Sequence, residues 1–178
     1  MLHGSEDLSI LDMSGASQAN ITFVTGAGHR ISSDDLVGTM QQVFGENFHE
    51  GQQVEEKAKR FLELALTFPE ASFDGVMVWD ALQFLVSPVL EETVMRLLRV
   101  VRPGGLILAF FNANDKIGQL PLYGHRIQDA KTIAQVPRGG MQKARHFNNR
   151  DLEKLFEKAS SIKFFLTRDN LTEVIVRR

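Results

Sequence analysis

The chain contains no cysteine. Disulfides and thiolate metal sites are therefore excluded, and cysteine usage says nothing of redox compartment. No apolar run approaches the roughly 18 residues needed for a membrane-spanning helix. An excess of one charge is also lacking. Lys and Arg number 20, Asp and Glu 22, and the net charge is −2 with both signs interspersed. Neither nucleic acid nor a membrane surface is expected as a partner. The five histidines show no H-x-x-H or similar ligand spacing, so no metal site is expected. The stretch Met1–Asp7 is too short and too acidic for a signal peptide, and a cytoplasmic protein is expected. Internal repeats, low-complexity tracts and a clear linker are missing. The 178 residues are expected to form one domain, 1–178, large enough for a proper core.

What the chain does have is one clear βαβ unit between Ser72 and Phe111. Phe73–Trp79 is a near-continuous apolar run, as expected of a parallel strand covered on both faces. Ser87-Pro88 reads as an N-cap followed by proline at the first helical position. Leu90, Val94, Leu97, Leu98 and Val101 then form the buried stripe of a crossover helix. Pro103-Gly104-Gly105 ends that helix, and Leu106–Phe111 is the next strand.

Upstream, Leu8–Asp12 reads as a strand, Met13–Ser17 as a small-residue turn, and Ser17–Ala27 as a helix stopped by glycines. His29–Ser33 is a second strand. A helix from Asp35 to Phe44 follows, stopped by Gly45. Asn47–Gln53 is polar and reads as loop. Val54, Ala58, Phe61, Leu62 and Ala65 recur at helical spacing, so Val54–Leu66 is expected to be helix, with a strand at Phe61–Leu64 as the alternative. Downstream, Leu122–Gln128 and Lys131–Val136 look like two short strands, and Pro137–Gly140 like a loop. Asn149 is expected to cap a helix through Ala159. Ser161–Thr167 and Thr172–Arg177 are closing strands whose short connection through Arg168–Leu171 makes them antiparallel. The pattern predicts an α/β fold with a mostly parallel sheet, helices on both faces, and an antiparallel strand near the C-terminus.

Three segments carry a resemblance: Phe68-Pro69 with Ser72-Phe73-Asp74, then Val78-Trp79-Asp80, then Leu98-Arg99-Val100-Val101-Arg102-Pro103-Gly104-Gly105. Together with the αββ ending they resemble a class I S-adenosylmethionine-dependent methyltransferase of the type 11 kind. The resemblance is strong over Ser72–Phe111 and weak over Leu122–Arg145. It implies a Rossmann-like three-layer sandwich and a cofactor crevice at the carboxyl ends of the parallel strands. It also implies roles for residues. Asp12, Ser14, Gly15 and Ala16 match the glycine-rich loop after the first strand. Asp34 or Asp35 matches the acidic residue that accepts from the ribose hydroxyls. Asp80, Ala81 and Leu82 match the cofactor contact after the fourth family strand. Aligned on Asp12, the family's three glycines are replaced by Ser14, Ala16 and Gln18, with Gly15 falling between them. Gln18 either occupies cofactor space or lies along the helix surface. The helix that in the family precedes the first strand has no counterpart in Met1–Asp7, so a second subunit is expected to cover the surface it would leave.

Each candidate has a structural reading beside its functional one. Asp34 and Asp35 also suit a helix cap, and Asp80 a cap or turn. Trp79 is expected in the core. Tyr123, His125 and His146 fall in or beside the excursion where this family builds substrate pockets, and a histidine there suits a general base. Their plainer reading is surface polar residues of a β-extension. The run Arg138, Lys143, Arg145, Arg150 reads as a solvated loop rather than an anion site. Phe147-Asn148-Asn149 reads as an anchor and cap. Two functions are carried forward. One is methyl transfer from S-adenosylmethionine to an unidentified small-molecule or protein acceptor. The other is a catalytically inactive, homo-oligomeric binding or assembly module of the same fold.

Overall fold

The computed structural model describes residues 7–114, 116–167 and 170–178. The stretch before Asp7, and part of the connection between the last two strands, lie outside the described residues.

Six strands form one sheet: β1 (Ser9–Asp12), β2 (Arg30–Ser33), β3 (Phe73–Trp79), β4 (Val101–Asn112), β7 (Ser161–Leu166) and β8 (Leu171–Arg177), in the order β2-β1-β3-β4-β8-β7. β1 pairs in parallel with β2 and β3, and β3 with β4. β8 runs antiparallel to both β4 and β7. Between β4 and β7 a separate hairpin is inserted, β5 (Gln119–Ile127) with β6 (Ile133–Lys143).

The helices are α1 (Gln18–Gly26), α2 (Leu36–Phe44), α3 (Phe48–Gly51), α4 (Glu55–Leu64), α5 (Val89–Val100) and α6 (Asn149–Leu155), with a 3-10 turn at Ala81–Phe84. The helical spacing over Val54–Leu66 is thus realised as α4, and the chain passes from β2 to β3 through helices alone.

Strand alternation sorts the core into two clusters. Leu11, Val76, Val78, Ile107, Ala109, Val174 and Val176 face α2, α4, α5 and α6. Ile10, Met77, Trp79 and Phe110 face the other way, against Val24 of α1 and Ile127 of the hairpin. The molecule is therefore a three-layer α/β sandwich whose two outer layers are very unequal.

Several boundaries differ from expectation. The polar stretch after Gly45 contains the short helix α3, capped by the Asn47 side chain on the Glu50 N–H. Pro88, not Ser87, is the cap of α5, and the Ser87 hydroxyl instead bonds Glu91. Pro103-Gly104-Gly105 lies within β4, because α5 already ends at Val100. Asn148, not Asn149, caps α6 through a reciprocal capping box with Asp151, and α6 ends at Leu155. The largest difference is the hairpin. Pro137–Gly140 is not a loop but part of β6, accommodated by a register shift opposite Pro121–Tyr123.

Candidate functional site

The carboxyl ends of β1, β2 and β3 meet at one rim of the sheet, and the turn after β1 starts there. Asp12 closes β1. It is completely buried, and its carboxylate accepts four hydrogen bonds. Oδ1 takes the Ser14 N–H at 3.0 Å, the Ser14 hydroxyl at 2.9 Å and the Trp79 indole N–H at 2.7 Å; Oδ2 takes the Asn20 amide at 2.5 Å. Three of these bonds fall on Oδ1, which is fully engaged, and one on Oδ2. Asp12 organises the turn.

The turn itself needs one glycine. Gly15 has φ +87°, in the left-handed region, while Ser14 and Ala16 do not share that conformation. The N–H of Gly15 bonds the carbonyl of Asp34 at 2.9 Å, and a bridge joins Ser14 to Asp35, tying the turn after β1 to the end of β2.

The two aspartates at that end divide their work. Asp34 turns away: its Oδ1 accepts the Asp35 N–H at 2.7 Å, and it is bonded by the backbone of Leu66. Burial raises its pKa despite those bonds. Asp35 faces the crevice. It caps α2 through the Gly38 N–H at 2.8 Å. A Cβ on Gly38 would come within 2.6 Å of the Asp35 carboxylate and one on Gly15 within 3.2 Å, so two glycines leave the space it fills. The cap reading of this residue holds, and its carboxylate also presents charge to the crevice.

That charge is taken by the hairpin. Arg138 of β6 donates to both oxygens of Asp35, Nη1 to Oδ1 at 2.7 Å and Nη2 to Oδ2 at 2.6 Å. Burial alone would raise the Asp35 carboxyl; the Arg138 guanidinium and the Gly38 N–H outweigh it and hold the carboxyl below its usual range. Arg138 is therefore an ion-pair partner rather than a solvated loop residue. Lys143 shares the strand, while Arg145 lies beyond it and stacks over the ring of Phe147.

β5 covers the turn after β1. The carbonyl of His125 accepts from the Asn20 amide at 2.9 Å and lies 3.3 Å from the Ser14 hydroxyl oxygen, whose one proton goes to Asp12, and the N–H of Ile127 bonds the Asn20 carbonyl oxygen at 2.7 Å. Farther along, Gln142 of β6 accepts the Phe48 N–H at 3.0 Å and donates to the Glu46 carbonyl at 2.8 Å. The hairpin thus forms a roof across the strand ends, fastened at Asn20, at Asp35 and at Phe48.

Under the roof sits a buried polar pair. The His125 ring stacks on the Trp79 indole, 5.0 Å between centroids and 4° from parallel. Its Nδ1 lies 3.8 Å from Asp80 Oδ1 and has no hydrogen-bond partner. Its Nε2 lies 3.4 Å from the Gln135 amide nitrogen. Burial pushes the Asp80 carboxyl up to about 7 and the His125 imidazole down to about 4. Trp79 is a core residue, as expected, yet it adopts a left-handed φ of +56° at the end of β3. Such a conformation costs on the order of 1–3 kcal/mol and persists only where surroundings impose it. Here those surroundings are the bond to Asp12 and the stack on His125.

Of the other sequence candidates, Ala81 and Leu82 are buried in the 3-10 turn. Tyr123 is half-buried, on the same strand face as His125, and His146 is exposed beyond the hairpin. Gln18 lies along the surface of α1, its amide donating to Thr22 Oγ1 at 3.2 Å. Between turn and hairpin an open cleft of about 330 Å3 remains, lined by Ser14, Gly15, Ala16, Asp35, His125 and Arg138 among others. That is the lower end of the ~300–1,000 Å3 typical of small-molecule sites. A second groove of about 330 Å3 runs between α5 and α6, away from the strand ends, past Leu90, Met95, Phe147 and Leu155.

A sequence profile described as a methyltransferase domain matches residues 11–109, more than half of the chain. The chain belongs to the methyltransferase domain family. Solved structures agree on the fold. A SAM-dependent methyltransferase of Methanosarcina mazei is 18% identical with a TM-score of 0.56, the match covering 99% of this chain and 94% of that one. The 1,6-didemethyltoxoflavin N1-methyltransferase of Burkholderia thailandensis, solved with its namesake compound and S-adenosylhomocysteine, is 15% identical with a TM-score of 0.54, over 97% and 72%. A SAM-dependent methyltransferase of Archaeoglobus fulgidus is 10% identical with a TM-score of 0.57, over 97% and 86%. No curated protein sequence matches.

Against the cofactor that this methyltransferase fold implies, the residues give a divided answer. Asp35, cradled by Gly15 and Gly38, is a suitable acceptor for a pair of hydroxyls. With the hairpin seated, however, both of its oxygens are engaged by Arg138, and the backbone of His125 and Ile127 is bonded to Asn20, which narrows the space over the turn to the open cleft of about 330 Å3. The seated roof does not fit S-adenosylmethionine. Sequence reading missed Asn20, Arg138 and Gln142, the three side chains that fasten the roof. Only Arg138 had carried a signal, as part of a basic run.

Proposed function

We propose that this methyltransferase-family domain binds S-adenosylmethionine at the rim formed by the turn Asp12–Ala16, Asp35 and Asp80–Leu82, and transfers its methyl group to a small-molecule or protein acceptor. The observation supporting this reading is the placement of Asp35: a carboxylate at the end of β2, between two glycines, facing the turn after β1. Asp34, turned toward Leu66, has no part in it. Ser14, Gly15 and Ala16 would lie against the cofactor, and Asp80–Leu82 would border it. His125 lines the cleft from β5, Tyr123 lies two residues before it on the same strand, and His146 is exposed beyond the hairpin. In methyl transfer, positioning and exclusion of water supply much of the rate, so a dedicated base is not required.

Calorimetric titration with S-adenosylmethionine and S-adenosylhomocysteine tests the reading. Binding is expected, and Ala16→Trp, which fills the mouth of the cleft, is expected to abolish it. Absence of binding at millimolar ligand in the wild type and in variants with a loosened hairpin excludes the reading.

The seated hairpin favours a second reading, a catalytically inactive binding or assembly module that keeps the fold and fills the crevice with its own strands. It predicts no cofactor binding in any variant. In either reading a single domain working in the cytoplasm as a homo-oligomer is proposed. No helix among the described residues is long and apolar enough to cross a membrane. A monomer by light scattering, independent of concentration, would remove the oligomer.

A further inference from the structure

We infer that the β5–β6 hairpin and the cofactor are mutually exclusive occupants of the crevice, with Arg138 holding at Asp35 the place of a ligand's paired hydroxyls. This rests on the reading of the rim as an S-adenosylmethionine site, and it makes the hairpin a built-in competitor rather than a lid that closes over bound ligand.

Three observations carry it. The first is stoichiometric. A guanidinium that donates to both oxygens of a carboxylate takes the same two acceptors that a vicinal diol needs. The Asp35 Oδ1 also accepts the Gly38 N–H, so little acceptor capacity is left. The second is the chemistry of the turn. The residues standing where the family has glycine, or just beyond, engage the hairpin. Ser14 sets its hydroxyl oxygen 3.3 Å from the His125 carbonyl, and Asn20 bonds both His125 and Ile127. The turn has the donors and acceptors that a β-strand needs laid over it. The third is the asymmetry of the fastenings. Asn20 and Gln142 are buried, but the Arg138–Asp35 pair is partly open to solvent, with side-chain exposures of 21% and 39%. It is the fastening that an incoming polar ligand reaches first, from the cleft that both residues line. Lifting the hairpin there would expose the buried His125–Asp80 pair to water.

Two measurements on the intact chain test this. In the first, S-adenosylhomocysteine is titrated into the wild type, Arg138→Met and Arg138→Gln, with a thermal melt confirming that each is folded. Both variants are expected to bind at least tenfold more tightly than the wild type. In the second, amide hydrogen exchange of the wild type is followed with and without saturating S-adenosylhomocysteine. The ligand is expected to speed exchange at Ile127 and Phe48, whose N–H groups bond across the roof. Equal or weaker binding by the Arg138 variants, or slower exchange at those amides, overturns the inference and leaves the cofactor reading intact; slower exchange would make the hairpin a closing lid. Absence of binding by all three proteins overturns the cofactor reading and the inference with it.

Discussion

The two faces of the sheet are built on different principles. On one, four helices lay Phe44, Phe61, Leu90, Val94, Leu97 and Leu152 onto Leu11, Val76, Val78 and Ile107, and the contact is almost wholly apolar. On the other, α1 and one end of a hairpin cover Ile10, Met77, Trp79 and Phe110. The second face continues over the strand ends into the roof, where named hydrogen bonds replace volume. Asn20, Asp35 and Gln142 each make contacts that a neighbouring residue cannot substitute. Non-directional burial gives a face that many sequences satisfy. Directed polar contacts give one that depends on a few side chains and can be opened by losing them. The rim proposed as the cofactor site lies on that second kind of surface.

The contrast is broken most severely on the apolar side. Phe61 is fully buried in α4 with its ring 4.9 Å from that of Phe44. Phe61→Ala is expected to cost about 4 kcal/mol, as for other buried phenylalanines. Urea denaturation should show the whole transition moving to lower concentration. Exchange at roof amides should change no more than that global shift requires.

On the polar side the effect should be smaller and local. Asn20 satisfies the Asp12 carboxylate, the His125 carbonyl and the Ile127 N–H at once. Asn20→Leu keeps the volume and removes a bond from each of the three, at a cost of about 3 kcal/mol. Hydrogen exchange should locate the loss in β5 and the turn after β1, with β4 and β8 unaffected below the global limit. A uniform loss across the sheet would show that the roof is not a separable unit.

These two faces were unequally legible in the sequence. The apolar one follows from periodicity: the stripe of α5, the runs of β3 and β4, and the spacing through Phe61 each need only local pattern. So did the choice of helix for α4, since Val54, Ala58, Phe61 and Ala65 fit one helical face. The turn after β1 was located through Asp12 and Gly15, but its use was not. Arg138 and Asp35 are 103 positions apart, and no local pattern couples them. Pro137-Arg138-Gly139-Gly140 has the composition of a loop, and it lies within β6 as an irregularity between the pairs Tyr123–Pro137 and Pro121–Met141, which hold the strand on either side of it. His125 read as a surface residue of an extension because nothing nearby in sequence announces that it stacks on Trp79. The fold depends on short-range pattern, whereas the roof depends on pairings that only the tertiary structure brings together.

Titration gives a finer probe of the roof, because Asp80 and His125 oppose each other. Asp80 has its pKa raised to about 7 by burial, so the folded protein holds a proton that the unfolded chain releases above the ordinary aspartate value of 3.8. Its contribution to stability is fully present below that value and falls as pH rises toward 7. His125 is lowered to about 4 from 6.5, so the unfolded chain binds the extra proton. Its contribution is fully present above 6.5 and is lost as pH falls toward 4. Between pH 4 and 6.5 the two slopes, each up to about 1.4 kcal/mol per pH unit, nearly cancel. Asp80→Asn should leave a stability that rises with pH across that window, and His125→Gln one that falls. Denaturant midpoints at half-unit pH steps check the sign. Parallel slopes in the two variants would mean that the pair is solvated and the roof open in solution.

The smallest effect is expected at the residue that the sequence made most conspicuous. Gln18 replaces a family glycine with a long polar side chain, and it stood as the strongest local objection to a ligand in the crevice. Its amide instead reaches Thr22 one turn along α1, an exposed contact between neighbours on a helix surface. Gln18→Ala should therefore shift stability by less than about 0.5 kcal/mol, as exposed helical positions do. It should leave S-adenosylhomocysteine affinity where the wild type has it, in contrast to the gain expected from Arg138→Met. A gain from Gln18→Ala comparable to that from Arg138→Met would place the obstruction in the turn after β1. The barrier to the ligand would then belong to the substituted glycine loop rather than to the hairpin above it.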